Sequence, residues 1–451
     1  MRVLGRPRSA WGWIVLIVVV LIALFVLAAL GSWLYLKATP VRIVEPPPGI
    51  AAVLTRPIPD GPEADLLRRG REVTIASDCM SCHTRAGGRP FAGGLGLPTP
   101  FGIIYSSNIT GDRATGIGGW TAAQFYSALH QGKSAGGERL YPAMPYPHFT
   151  ELSRADSDAM FAFLKSVPPE SYTEPANRLP FPLDVRLVMI GWNMLNFSPH
   201  AFKPDPRQSA AWNRGAYLVQ GPGHCGSCHT PQSILGAERS DRALQGAAIE
   251  NWVAPDLTGN PRTGLGRWSS QDLVEYLRTG RNAHANAVGP MADVVTYSTS
   301  LMSDADLAAV ATYLKSLRAS PDAPVAAPEA AATRAGGAIF ADACTACHLA
   351  KGKGQTRMFP PLEGSAIAQQ RDPTGVVRLI LAGGRTAPTL ARPSFQSMPS
   401  FAWKLSDQEV ADVATYVRNS WGNRASPVSA KQVASLRSRL HLLSGSARDQ
   451  K

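Results

Sequence analysis

The chain has 451 residues, room for roughly two to four compact units at about 100–200 residues each. Hydrophobic residues make up 45% and charged residues 17%, which excludes a largely disordered chain. The formal net charge is +12, but no stripe of Lys and Arg interleaved with aromatics accompanies it, so nucleic acid is not an expected partner.

Residues 1–10 carry Arg2, Arg6 and Arg8, and residues 11–36, from Trp11 to Leu36, contain no charge. That run is long enough to cross a hydrocarbon core with some tilt. Trp11 and Trp13 at one end and Trp33 and Tyr35 at the other match aromatic belts at two interfaces. A cleaved signal has a shorter apolar core, and Ala28-Ala29 is a poor cleavage site. The reading is a single-pass anchor in a bacterial inner membrane. The arginines then lie on the cytoplasmic side, everything after Lys37 lies in the periplasm, and membrane lipid is a partner. A Pro-rich spacer occupies residues 37–60.

All six Cys fall in three pairs, Cys79-Met80-Ser81-Cys82-His83, Cys225-Gly226-Ser227-Cys228-His229 and Cys344-Thr345-Ala346-Cys347-His348. Cys-x-x-Cys-His is the attachment signature of haem c. Two thiols a helical turn apart each add to one vinyl group, and the adjoining His reaches the iron from the same face. A redox dithiol does not need the His, and a zinc site needs two further ligands. Three such motifs, using every Cys, predict three haem c groups held by Cys79, Cys82, Cys225, Cys228, Cys344 and Cys347, with His83, His229 and His348 on the irons.

Each motif opens a unit that closes on a helix. Ser153-Arg154-Ala155-Asp156, Ser303-Asp304-Ala305-Asp306 and Ser406-Asp407-Gln408-Glu409 each begin one. Each Ser is an N-cap with an acid three residues on, as in a capping box, and Leu152, Met302 and Leu405 occupy the staple position before it. Phe163, Tyr313 and Tyr416 lie at one common offset from the Ser, with a basic residue close behind. A short helical stretch precedes each Cys pair and carries Gly70, Gly215 or Gly336-Gly337. This register marks an internal repeat. It resembles the cytochrome c fold, in which an N-terminal helix with a small residue crosses a C-terminal helix bearing an aromatic. The expected fold is therefore mainly α, one N-terminal transmembrane helix followed by three tandem class I-like cytochrome c domains at 61–167, 208–317 and 333–423. Connectors occupy 168–207 and 318–332. The basic tail 424–451, with a weak amphipathic pattern near Val433 to Leu443, reads as solvated.

Units one and two share more. Asn108-Ile109-Thr110-Gly111 corresponds to Asp256-Leu257-Thr258-Gly259, and Thr115 to Thr121 corresponds to Thr263 to Ser269. A helical pattern then ends at Gly132 or Gly280. Unit three lacks this stretch.

A sixth iron ligand is expected from a loop before each closing helix. Met144, Met291 and Met398 each stand beside Pro, which suits a rigid, non-helical loop. Met160, Met302 and Met358 are the rivals, the first better read as core and the second standing at the staple position before its cap, and His130, His148, His224 and His284 are fallback ligands. His200 and His441 read as exposed. Six-coordinate irons leave no site for bond chemistry, so no catalytic residue is assigned and the chain reads as an electron relay, not itself an enzyme.

These motifs resemble the triheme cytochrome c subunits of bacterial membrane-bound dehydrogenases, over about Gly70 to Asn423. The most specific segments are Leu140 to Pro147, Gly221 to Cys225 and Asn419 to Asn423. Asn251 to Pro255 and Met358 to Leu362 also match. The resemblance implies electron flow from a catalytic subunit through the haems to ubiquinone. Many members have a cleavable signal and a longer C-terminal region. The anchor and short tail here shift the expectation toward a molybdopterin aldehyde dehydrogenase with a [2Fe–2S] subunit. Quinoprotein alcohol or flavin gluconate dehydrogenase is the alternative, as is a terminal oxidase subunit. A self-contained haem peroxidase would instead need a five-coordinate iron. The segment Leu183 to Leu195 is apolar for a connector. Packing between units is the plain reading, and contact with a partner or membrane near the quinone is the sharper one.

Overall fold

The computed structural model describes residues 10–38, 52–322 and 324–442, and the arginines at 2, 6 and 8 lie outside them. Ala10–Ala38 is one uninterrupted helix. Its window Trp13–Tyr35, 23 residues, is long and apolar enough to cross a membrane, and none of the window is buried inside the protein. Most of the 37–60 spacer lies outside the described residues.

The rest is mainly helical and repeats one plan. Ala64–Ala76 crosses Arg154–Ser166, Ala210–Gln220 crosses Asp304–Ser316, and Ala330–Ala343 crosses Asp407–Asn419. Each crossing is as close as backbone allows. A Cβ on Gly70 would lie 1.9 Å from the Ala159 carbonyl oxygen, one on Gly215 2.0 Å from that of Ala309, and one on Gly336 2.1 Å from that of Asp412. The aromatic one turn on, Phe163, Tyr313 or Tyr416, meets the same glycine. Of the pair at 336–337, the first residue makes the crossing.

Ser153, Ser303 and Ser406 each cap their helix by accepting from the backbone N–H three residues on. The reciprocal half of the capping box forms only in unit three, where Glu409 returns to Ser406. The reason lies across the crossing. Arg69 and Arg214 stand just before the crossing glycines of units one and two and draw Asp156 and Asp306 away, at 2.8 and 2.7 Å. Unit three has Ala335 there, so its acid stays on the cap.

Among the described residues, sheet is confined to three two-stranded antiparallel ladders. Gly96–Thr99 with Gly102–Tyr105 and Ala247–Ile249 with Trp252–Ala254 are equivalent in units one and two. Gly384–Arg385 with Ser397–Met398 belongs to unit three.

Two regions differ from expectation. The tail does not run free in solvent: Ala430–Arg439 is a capped helix whose Val433 and Leu436 are buried in the core of unit three. Its Arg437, also buried, pairs with Asp407 and donates to the Ala402 and Leu405 carbonyls. The weak periodicity at Val433 and Leu436 was a packing face. Residues 443–451 lie outside the described residues. In the first connector, Val188–Asn196 is a helix that touches both units, through Asn193 to Tyr146 of unit one and through Trp192 to the Leu235 carbonyl of unit two, yet it leaves one side uncovered. One face, with Met189 and Asn193, covers unit one, and the other is exposed.

Candidate haem attachment sites

Each Cys-x-x-Cys-His forms a short helical turn ending on its His: Cys79–His83, Gly226–His229 and Thr345–His348. None of the six Cys forms a disulfide. Each imidazole is fixed in one way. Nδ1 of His83 donates to the Ser107 carbonyl at 2.7 Å, that of His229 to Pro255 at 2.7 Å, and that of His348 to Pro360 at 3.1 Å. This settles the tautomer and leaves Nε2, the nitrogen through which a haem iron would be held, free of any hydrogen bond among the described residues. Burial lowers the pKa of all three rings, which keeps them neutral as a ligand must be.

The carbonyls at 107, 255 and 360 escaped the reading of the sequence, although a signal for them existed. Ser107 and Pro255 directly precede the repeated Asn108 and Asp256. Those two side chains each accept from the backbone N–H two residues on, at Thr110 and Thr258, and so form the turn that aims the preceding carbonyl at the His. The repeat shared by units one and two is thus a device that orients a ligand. Pro360 does the same within Phe359-Pro360-Pro361-Leu362.

The thiols fit haem attachment and not dithiol redox chemistry. Burial pushes Cys82 and Cys225 up to about 12 and Cys228 and Cys344 up to about 11, whereas a reactive dithiol needs a depressed thiolate pKa. Among the described residues no group of three or more His, Cys, Asp or Glu could hold a metal ion, so zinc has no ligand set.

The three methionines sit on different supports. Met144 lies in an irregular turn between Tyr141 and Tyr146. Met291 is not in a non-helical loop as expected: it occupies the first turn of Pro290–Tyr297, because Pro290 at the first helical position starts a helix instead of preventing one. Met398 ends a two-residue strand against Gly384. All three are partly buried, while Met160 is 1% exposed and is core. Met302 packs against the cores of units one and two, and Met358 is largely exposed. The other histidines are engaged elsewhere. His130 meets the Thr150 carbonyl, His148 meets Gln220 and Glu238, His224 meets the Ser77 carbonyl, and His284 meets Asp272. His200 and His441 are exposed.

The connector helix holds the Met144 turn. Tyr141 donates to the Leu183 carbonyl at 2.8 Å, and the fully buried Tyr146 donates to Asn193 at 2.6 Å.

The cytochrome c family profile matches residues 67–168, 213–318 and 333–421. The gluconate 2-dehydrogenase cytochrome c subunit of Pantoea cypripedii is 42% identical over 398 residues, 82% of this chain and 89% of that one. The cytochrome c subunit of alcohol dehydrogenase (quinone) from Gluconobacter oxydans is 42% identical over 400 residues, 84% and 83%. A nicotinate dehydrogenase subunit from Pseudomonas putida is 40% identical over 366 residues, 79% of this chain but 30% of that longer protein. Proteins of this kind are electron-transfer subunits and not catalytic ones. With its attachment motifs, its oriented histidines and these relatives, the chain belongs to the cytochrome c family, among the cytochrome c subunits of dehydrogenases, and haem c is the cofactor that its sites fit.

Proposed function

We propose that the chain is a membrane-anchored triheme relay that passes electrons from a periplasmic dehydrogenase subunit to ubiquinone. In this reading the anchor lies in the inner membrane with its N-terminus in the cytoplasm. A bound haem c supplies a one-electron iron couple. The protein supplies attachment through the six thiols, a fixed imidazole at His83, His229 and His348, and a thioether at Met144, Met291 and Met398, which raises the potential. The observation that carries the reading is the threefold Nδ1-to-carbonyl geometry, since a chain that kept only one working haem would have no reason to orient three ligands alike.

For the donor, the relatives that match end to end favour a sugar-acid or alcohol dehydrogenase. The molybdopterin partner with its [2Fe–2S] subunit is the second reading, supported by the nicotinate dehydrogenase relative. Native purification from detergent-solubilised membranes, with subunits weighed and metals counted, decides between them. A flavoprotein or quinoprotein partner supports the first, and molybdenum with extra iron supports the second. A chain that purifies alone and binds carbon monoxide at neutral pH would sink the relay. In the same preparation, Met144→Ala should open one haem of the three to carbon monoxide and lower its potential; no change in either would remove Met144 from the ligand set.

A further inference from the structure

The first connector meets the anchor helix at a depth that belongs to the bilayer. Within the anchor, Ser32 accepts a hydrogen bond from the Phe181 N–H at 3.0 Å, and the Phe25 and Phe181 rings meet edge to face with centroids 5.1 Å apart. Both anchor residues lie inside the window Trp13–Tyr35. At about 1.5 Å per residue, Ser32 is roughly 4–5 Å inside the Tyr35 end, and Phe25 roughly 15 Å inside it, near the middle of the span. The Phe181 backbone therefore sits about one helical turn below the outer end, with its ring directed further in.

The local sequence suits that depth. A backbone N–H in hydrocarbon needs a partner. Phe181 has the Ser32 hydroxyl, and its neighbours Pro180 and Pro182 have no N–H. The chain then leads into Val188–Asn196, whose outer face is apolar: Leu187 is 72% exposed, Met194 81% and Leu195 77%. Beside this helix, the turn at Ile234-Leu235 is also exposed, and the Leu235 carbonyl accepts from Trp192 Nε1. From Pro180 to Phe197 the charged residues are Asp184, which is exposed at the start of the segment, and Arg186. Arg186 is turned away, over the Tyr141 ring and onto the Arg139 carbonyl. From Leu187 to Leu195 the exposed side chains carry no charge, and an apolar face continuous with a span matches lipid better than an aqueous or electrostatically steered partner.

We propose that residues 180–195, with Leu187, Met194 and Leu195 foremost, enter the outer leaflet beside the anchor as a monotopic wedge. The chain then holds the membrane at two places. Because this helix also bonds Tyr146 and its approach bonds Tyr141, the Met144 turn is fixed relative to the bilayer surface. The proposal rests on the reading of Ala10–Ala38 as a membrane span.

The test uses the full haem-loaded chain in vesicles of phosphatidylethanolamine and phosphatidylglycerol. These contain a phospholipid with a photoactivatable diazirine midway along one acyl chain, and adducts are mapped by mass spectrometry. Adducts are expected on the anchor and on the peptide covering 187–195. In Met194→Asp/Leu195→Asp, adducts on that peptide should fall severalfold while anchor adducts and the haem spectrum stay unchanged. Adducts on the anchor alone overturn the wedge and leave the span intact. A chain without anchor adducts overturns both. Adducts on 187–195 that vanish when the catalytic subunit is bound assign the face to that protein and overturn the lipid reading.

Discussion

The joint between units one and two is built from buried aromatic and titratable groups, and the joint between units two and three from arginines reaching backbone carbonyls. At the first joint, Tyr217 of unit two donates to the buried Asp156 of unit one at 2.5 Å and joins the core of unit one. His224 packs edge-on against Phe149 and reaches the Ser77 carbonyl. His148, four residues past Met144, meets Glu238 at 2.6 Å beside Gly226 of the second attachment motif. The helix bearing Met291 lies against Cys79–His83. Each unit thus braces a segment of the other that carries a candidate haem ligand or attachment motif. At the second joint, the buried Arg281 donates to the Ser394 carbonyl and the Thr386 hydroxyl, Arg262 to the Gln369 and Arg424 carbonyls, and Gln370 to the Thr263 carbonyl. Two copies of one fold can be joined in unlike ways, because the repeat dictates the helices and leaves the outer surface free to vary.

The largest effect should come from Asp156→Ala, which strips the N-cap helix of its buried acid and leaves the Tyr217 hydroxyl without its acceptor. A loss of about 3 kcal/mol is expected from removing one member of a buried charged network. Chemical denaturation of the holoprotein, followed by Trp fluorescence, measures it; a loss below about 1 kcal/mol would mean that the first joint does not depend on this carboxylate.

Arg281→Met should cost less, about 1–3 kcal/mol, through loss of two hydrogen bonds at the second joint. The Ser394 carbonyl is left without a partner, while the Thr386 hydroxyl keeps the Gln396 N–H. Hydroxyl-radical footprinting should show the buried Thr386 newly exposed and Tyr217 unchanged. Exposure at both sites would show that the joints are not independent.

The two joints should also differ in their response to pH. Burial opposes ionisation of Asp156, but Tyr217 and Arg69 outweigh it and hold its pKa below the usual value. Its contribution is present above about pH 3.9, the unfolded value, and is lost as pH falls through the lower folded value. Burial likewise opposes the charge on His148, but Glu238 outweighs it and raises that pKa. Its contribution is complete below about pH 6.5 and is lost as pH rises through the folded value. His224 in the same joint is pushed down to about 4 by burial, so its share is lost as pH falls from about 6.5 toward 4. The first joint should therefore be tightest near about pH 6.5, while the arginine joint weakens only at the acid end, where Asp322, held below its usual value by Asn260 and Arg262, takes up its proton. Footprinting of Phe149 across pH 3–9 checks this, and Glu238→Gln should abolish the alkaline limb alone.

The smallest effect belongs to Arg357→Ala. Arg357 pairs with Glu275 across the second joint at a half-exposed position. Exposed pairs contribute little and are screened by salt, so the melting temperature in high salt should not move. A clear drop there would make the pair part of the joint.

The sequence alone determined the three Cys-x-x-Cys-His motifs, the long apolar N-terminal helix, the three capped closing helices and the glycines at the crossings. These depend on short spacings and helical period, which act over a few residues whatever the rest of the chain does. Only the tertiary structure decided that the carbonyls of Ser107, Pro255 and Pro360 hold the histidines, that Asp156 abandons its capping box for Arg69, and that the tail helix packs on unit three. It also decided that one face of the apolar connector braces Tyr141 and Tyr146 while the other stays bare beside the anchor. Each of those outcomes pairs residues from distant parts of the chain or from separate elements, and which distant groups meet is set by how the helices cross and not by any local pattern.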